Sequence, residues 1–190
     1  LTEALADLLT RMPRAALSKM LEDAFDGNLP SRLLEALANA ELDWRTQVLA
    51  NGVIADLVLF AANKPILLIE NKTWSGFQDH STEEEEANQL TTYCRWLAEE
   101  AAIPSACAVL LITGTAAFPD GYHREDGEYE VDCRGQITWA ALGRWFNKVL
   151  SRHDERDSAW MQLAHELVAF LGEKSLSSEI FTASDLSAAH

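Results

Sequence analysis

Ala55-Asp56-Leu57-Val58-Leu59-Phe60 and, one short turn later, Pro65-Ile66-Leu67-Leu68-Ile69-Glu70-Asn71-Lys72 decide how this chain folds. Each run has the length of a strand and is almost wholly apolar, yet together they hold an Asp, a Glu and a Lys. An ionised side chain in an apolar strand is costly unless something pairs with it. Upstream, Leu42 to Leu49 reads as a strand, and Asn51-Gly52 before Val53 is the strongest short hairpin signal in sequence. Ala61-Ala62-Asn63-Lys64 marks a second turn. The reading is a three-stranded antiparallel meander whose second and third strands are buried on both faces.

Residues directly opposite in an antiparallel pair share a face. A three-residue loop of Ala62, Asn63 and Lys64, with Asn63 left-handed, sets Asp56 opposite Glu70. Lys72 then joins that face by period two. A two- or four-residue loop is expected to turn Glu70 and Lys72 to the other side. Two carboxylates offer hard oxygen ligands for Mg²⁺, which binds through one or two carboxylates and keeps several waters. The backbone carbonyl of Asn71 adds a third donor. A metal so held polarises a phosphoryl oxygen and activates a water, and Lys72 supplies fixed positive charge where negative charge builds up.

Outward from the meander, the first forty residues read as three helices. Thr2 is expected to N-cap the first, with Leu5, Leu8 and Leu9 on its apolar stripe, and Pro13 ends it. The second runs from Ala15 to Phe25 and closes at Asp26-Gly27-Asn28; the third starts at Pro30. After the meander, a long helix is expected from Ser81-Thr82 to about Ala102, with Ala87, Leu90, Cys94, Leu97 and Ala101 on one face. On it Gln89 and Tyr93 stand at i and i+4, neighbours on one side. Ala106 to Thr113 is an interior strand, 114–132 a loop with a short edge strand near Tyr129 to Val131, and Gln136 to Trp139 a short strand. Helices follow at Ala140 to Leu150 and Glu155 to Gly172. The expected organisation is one domain over 1–172: helices at 1–40, a core at 41–139, helices at 140–172, then a tail or linker at 173–190.

Composition limits the partners. The chain has 190 residues, 48% of them apolar and 24% charged, ordinary for one soluble domain. Three cysteines without C-x-x-C spacing argue against a disulfide framework or a zinc ribbon, and point to a cytoplasmic location. No apolar run approaches the roughly 20 residues of a membrane span. A start at Leu1 rather than Met reads as a piece cut from something longer. A net charge of −15 is unfavourable for holding a polyanion, so a further domain or protein partner is expected to supply basic surface, and an oligomer is compatible with the chain. Glu83 to Glu86 read as helix-dipole complements rather than metal ligands. His80, His123, His153 and His165 lack ligand spacing. Trp74 and Phe77 follow Lys72 in a loop that either shapes a substrate path or packs against the sheet, and Lys64, Arg95 and Arg45 are either phosphate contacts or solvated surface residues.

Asp56 followed by Glu70-Asn71-Lys72 resembles the signature of the PD-(D/E)XK nuclease superfamily, with Ala55 where the name-giving Pro often stands. Gln89-x-x-x-Tyr93 on the next helix is similar to the Q-x-x-x-Y motif of its exonuclease-like branch. Thr2-Glu3-Ala4-Leu5 resembles the opening of bacterial members found in defence contexts. The resemblance covers about residues 1–150 in element order. It implies an α/β fold with a restriction-endonuclease-like αβββαβ core, a mixed sheet flanked by helices. It also implies a Mg²⁺-dependent phosphodiesterase, with Mn²⁺ as substitute, acting on DNA in a bacterial defence or repair system. Asp56 and Glu70 would be metal ligands, Lys72 the catalytic lysine, and Gln89 and Tyr93 auxiliary. A further family acidic residue often lies on the first helix, where Glu3 is the only candidate. The rival expectation is a catalytically silent nuclease-fold domain used for binding or assembly; a phosphodiesterase for a small nucleotide is a third.

Overall fold

The computed structural model describes residues 1–72, 89–103, 106–114, 134–151 and 158–174. The apolar runs become the middle of one five-stranded mixed sheet. Its strands β1 (Leu42–Ala50), β2 (Val53–Ala61), β3 (Lys64–Lys72), β4 (Ala108–Thr113) and β5 (Arg134–Thr138) lie side by side in sequence order. The first three form the expected antiparallel meander; β3–β4 and β4–β5 pair in parallel. The protein is thus α/β, a mixed sheet flanked by helices.

Among the described residues five helices cover one sheet face: α1 (Thr2–Arg11), α2 (Arg14–Ala24), α3 (Ser31–Asn39), α5 (Trp139–Leu150) and α6 (Ala159–Glu173). Leu57, Leu59, Leu67, Ile69, Leu110 and Ile112 meet them from the strands. The other face is covered by α4 (Gln89–Glu100), packed on Val58, Phe60, Leu68, Val109 and Leu111. Alternation along each strand divides its apolar residues between the two cores. Truncating any of the central leucines to Ala would cost about 2–5 kcal/mol.

Three local expectations are corrected. Thr2 is not the N-cap of α1: the helix takes in Thr2 and is capped by Leu1, whose carbonyl accepts from the Leu5 N–H. Trp139 is not a strand residue but the first residue of α5, because Thr138 at the N-cap accepts from the Ala141 N–H and starts the helix there. The β2–β3 loop has two residues, not three. Ala62 and Asn63 both lie at positive φ and close a tight turn with Ala61 paired to Lys64.

That turn would misplace Glu70, but a β-bulge offsets it. Phe60 pairs with Pro65, while the next pair is Leu59 with Leu67, leaving Ile66 as an extra residue on β3. The shift restores the register: Leu57 pairs with Ile69 and, carried one pair further, Asp56 stands opposite Glu70. The expected juxtaposition is therefore reached through the bulge rather than through the loop.

The long helix expected from Ser81 is described from Gln89 onward. The edge strand near Tyr129, the tail from Ser175, and Trp74, Phe77, His80, Glu83 to Glu86, His123, Cys133 and His153 lie outside the described residues.

Candidate active site

Away from their connecting turn, partway along β2 and near the end of β3, the two strands part. The last ladder pair is Leu57 with Ile69; beyond it β2 continues with β1, and β3 with β4 as far as Lys72 beside Thr113. The carboxylate of Asp56 takes over where the ladder stops, its Oδ2 accepting from the Asn71 N–H at 2.9 Å. An extended residue projects its N–H and C=O towards the same neighbouring strand. The Asn71 carbonyl therefore faces the same side as Asp56. Its side chain turns to the other sheet face, where Oδ1 accepts from the indole N–H of fully buried Trp139 at 2.9 Å.

Glu70 and Lys72 point to the α4 face, 3% and 9% exposed. Burying both charges requires that every polar atom be satisfied, and the first turns of α4 do this. Gln89 reaches across with its amide oxygen accepting from Lys72 Nζ at 2.7 Å and its amide nitrogen donating to Glu70 Oε1 at 3.0 Å. Lys72 Nζ also lies 3.0 Å from Glu70 Oε1. The Tyr93 hydroxyl accepts from Gln89 and is 2.9 Å from Glu70 Oε2 and 2.8 Å from the Ile54 carbonyl, to which its one proton can be given in turn. The i, i+4 spacing of Gln89 and Tyr93 lets one helix face serve both ends of the Glu70 carboxylate.

Burial pushes the Glu70 carboxyl above its ordinary range, Lys72 opposes that, and the nearby charge of Asp56 adds to it. Burial, with the Glu70 charge next, also raises Tyr93 far up, so it stays a neutral hydroxyl. The mutual repulsion of Asp56 and Glu70 is what a bound cation would remove. Among the described residues no three His, Cys, Asp or Glu side chains cluster as a metal-ligating group. The donor set is two carboxylates and one backbone carbonyl, which suits Mg²⁺ with its retained waters and suits zinc poorly.

Of the residues expected from sequence, Asp56, Glu70, Asn71, Lys72, Gln89 and Tyr93 come together. Glu3 does not join them. It is exposed on α1, in the layer against the opposite sheet face. Arg45 is engaged elsewhere, bonded to Asp43 and Asn63 and lying over the Phe60 ring. Lys64 sits at the far end of the hairpin, and His165 is exposed on α6. Cys94 and Cys107 are buried thiols, Cys107 pushed up to about 12 by burial, which leaves it inert as a nucleophile.

Three residues at the site escaped the sequence reading. Trp139 holds Asn71 from behind; a Trp after a short strand carries no signal for that. Thr113 lies in register with Lys72, and Gln136 donates to the Thr113 hydroxyl at 2.9 Å. They continue the polar row of Asp56, Glu70 and Lys72 across β4 and β5. The only sequence trace was a polar residue ending an apolar strand.

Among the described residues no helix is long and apolar enough to cross a membrane. Compared with models of known protein families, with curated proteins and with solved structures, the chain finds no match in any of the three, so its functional reading rests on this geometry.

Proposed function

We propose that this chain is a Mg²⁺-dependent nuclease domain of restriction-endonuclease-like build, hydrolysing phosphodiester bonds in DNA. The observation that carries the reading is the buried Glu70–Lys72–Gln89–Tyr93 network beside Asp56 at the point where β2 and β3 separate. A buried lysine and glutamate with a tailored amide and hydroxyl are a poor device for stability alone, and a carboxyl pushed up by burial, as that of Glu70 is, is characteristic of functional sites. The element order, three antiparallel strands followed by a helix and a parallel strand, supports the same reading.

Each residue has a role. Asp56, Glu70 and the Asn71 carbonyl would hold Mg²⁺ or Mn²⁺, which when bound polarises the phosphate and lowers the pKa of a coordinated water. Lys72, held by Glu70 and Gln89, keeps a fixed ammonium beside the attacked phosphorus and offsets the charge of the transition state. Gln89 fixes Lys72 and Glu70 relative to each other. Tyr93 ties Glu70 to the β2 backbone through Ile54. The asparagine side chain, pinned by Trp139, keeps the carbonyl aimed at the site.

The test compares wild type with Lys72→Ala on plasmid and oligonucleotide DNA with Mg²⁺ or Mn²⁺. Loss of a fixed transition-state charge is expected to lower turnover by about 10²–10³, with metal binding retained. Equal turnover of the two proteins would sink the proposal.

A second reading is favoured by one observation, the acidity of the chain. With 30 acidic against 15 basic residues, and Arg11, Lys19 and Arg45 paired to Asp7, Asp23 and Asp43, the domain has little surface for a polyanion. It would then be a silent nuclease-fold domain used for binding or assembly. Such a domain binds no metal through Asp56, which calorimetry of Asp56→Ala against wild type decides. In the enzymatic reading a basic partner, as in a bacterial defence or repair assembly, supplies DNA affinity, and activity rises when it is added.

A further inference from the structure

The two most exposed large apolar side chains among the described residues are Leu49 and Ile54, at 67% and 54%, and they face each other across the β1–β2 hairpin. Both side chains turn away from α4, and Ile54 stands two residues from Asp56 along β2. The strand alternation reverses between them and the sheet, since Ala55 packs with α4 but Leu57 with the five helices; at that reversal Gln47 is exposed and Asp56 half-buried. The other ribbon face, with Val48, Ala50, Val53 and Ala55, packs into the core beneath α4. The hairpin therefore has a filled inner face and an apolar outer one, a single residue pair beyond the carboxylate.

This placement is held against resistance. Gln47 adopts a left-handed backbone, φ 53°, in mid-strand, opposite Asp56, where the ladder pair is missing. Such a conformation costs a non-glycine residue about 1–3 kcal/mol and persists only where surrounding contacts impose it. On one side of Gln47, Trp44 packs with the five-helix face; on the other, Val48 and Ala50 pack with α4. Two bonds hold the turned tip, Tyr93 OH to the Ile54 carbonyl at 2.8 Å and Asn51 Nδ2 to Glu99 Oε2 at 3.0 Å. The same tyrosine that holds Glu70 thus sets the tip beside Asp56.

An aliphatic pair cannot hold a phosphate, but it can seat the flat face of a base or enter between two bases, as leucine and isoleucine wedges do. Two strand residues span about 6–7 Å, about two nucleotide steps at roughly 3.4 Å each. A strand with a phosphate at Asp56 therefore brings a base about two steps along over Leu49 and Ile54. Resting on the nuclease reading above, we propose that the hairpin tip seats an unpaired nucleobase near the scissile phosphate. The substrate is then single-stranded DNA, or duplex opened at the cut. Such a contact needs no cation and is not screened by salt, which suits a chain of net charge −15.

The test is binding in Ca²⁺, without cleavage, of a single-stranded oligonucleotide carrying 2-aminopurine, and of the same strand annealed to its complement. Wild type should bind the single strand more tightly and change its fluorescence, with shallow salt dependence. The Leu49→Ser/Ile54→Ser double variant, altered only at exposed positions, should keep the wild-type melting temperature, lose about tenfold in single-strand affinity and lose the fluorescence change. Equal affinities, tighter binding of duplex, or no binding by wild type overturn the proposal. So does a dimer that the double variant converts to monomer, since the tip is then a protein contact. Calorimetry with Mn²⁺ separates the two levels. Metal binding lost in Asp56→Ala alongside an indifferent tip variant rejects the tip alone, whereas metal binding unchanged in Asp56→Ala rejects the nuclease reading itself.

Discussion

Glu70 accepts from Gln89, shares the Tyr93 proton with the Ile54 carbonyl and lies beside Lys72, yet burial still holds its carboxyl above the ordinary value of 4.5. A raised pKa in the folded state means that the folded protein holds this proton more tightly than the unfolded chain. The stabilising contribution is present below about pH 4.5 and is lost as pH rises through the raised folded value. Melting curves without metal, taken upward from pH 4.5, should show wild type losing stability relative to Glu70→Gln, which does not titrate. Parallel curves would mean that Lys72 fully offsets the burial. Absolute stability of Glu70→Gln is a poorer readout, because the change leaves the Lys72 ammonium short of its counter-charge. At this scale the residue types of the site were legible in the sequence: charged residues in apolar strands have few structural uses. Trp139 was not legible, because its role depends on where α5 begins in space.

Two turns and one bulge set the register on which the site depends. Asn51-Gly52 suits its turn, with Gly52 at φ 86°, while Ala62 carries φ 48° without the amide or missing Cβ that makes this conformation easy. Ala62→Asn should therefore stabilise the domain by about 0.5–1 kcal/mol, read as a higher urea midpoint at unchanged slope. A lower midpoint would show that the alanine methyl is needed in its place. At the far edge of the sheet, a Cβ on Gly135 would come within 2.8 Å of the buried Phe25 ring. Gly135→Ala should cost about 1–3 kcal/mol through overpacking of α2 on β5, checked by the same titration. The strands and most helices were legible from periodicity. The bulge at Ile66 was not: nothing in a continuous apolar run marks the residue that will be left unpaired.

For the molecule as a whole, net charge and the metal are coupled. Self-repulsion at −15 is eased by any salt, so a specific site must be told from screening. At matched ionic strength, Mg²⁺ at a hundred times its Kd should stabilise wild type by about 2.7 kcal/mol, or roughly 2–4 °C per kcal/mol for a chain of this size. Asp56→Ala should respond to Mg²⁺ only as it does to Na⁺. Equal responses of the two proteins would remove the metal from the account. The sequence by itself determined the α/β class, the meander, the apolar faces and the residue types of the site, because these follow from local periodicity, turn chemistry and the cost of burying charge. The tertiary structure alone decided how Asp56 comes opposite Glu70, which helix satisfies the buried pair, and that Leu49 and Ile54 stand outside beside it. Those depend on a bulge, a left-handed glutamine and contacts between elements far apart in the chain, which no local pattern encodes.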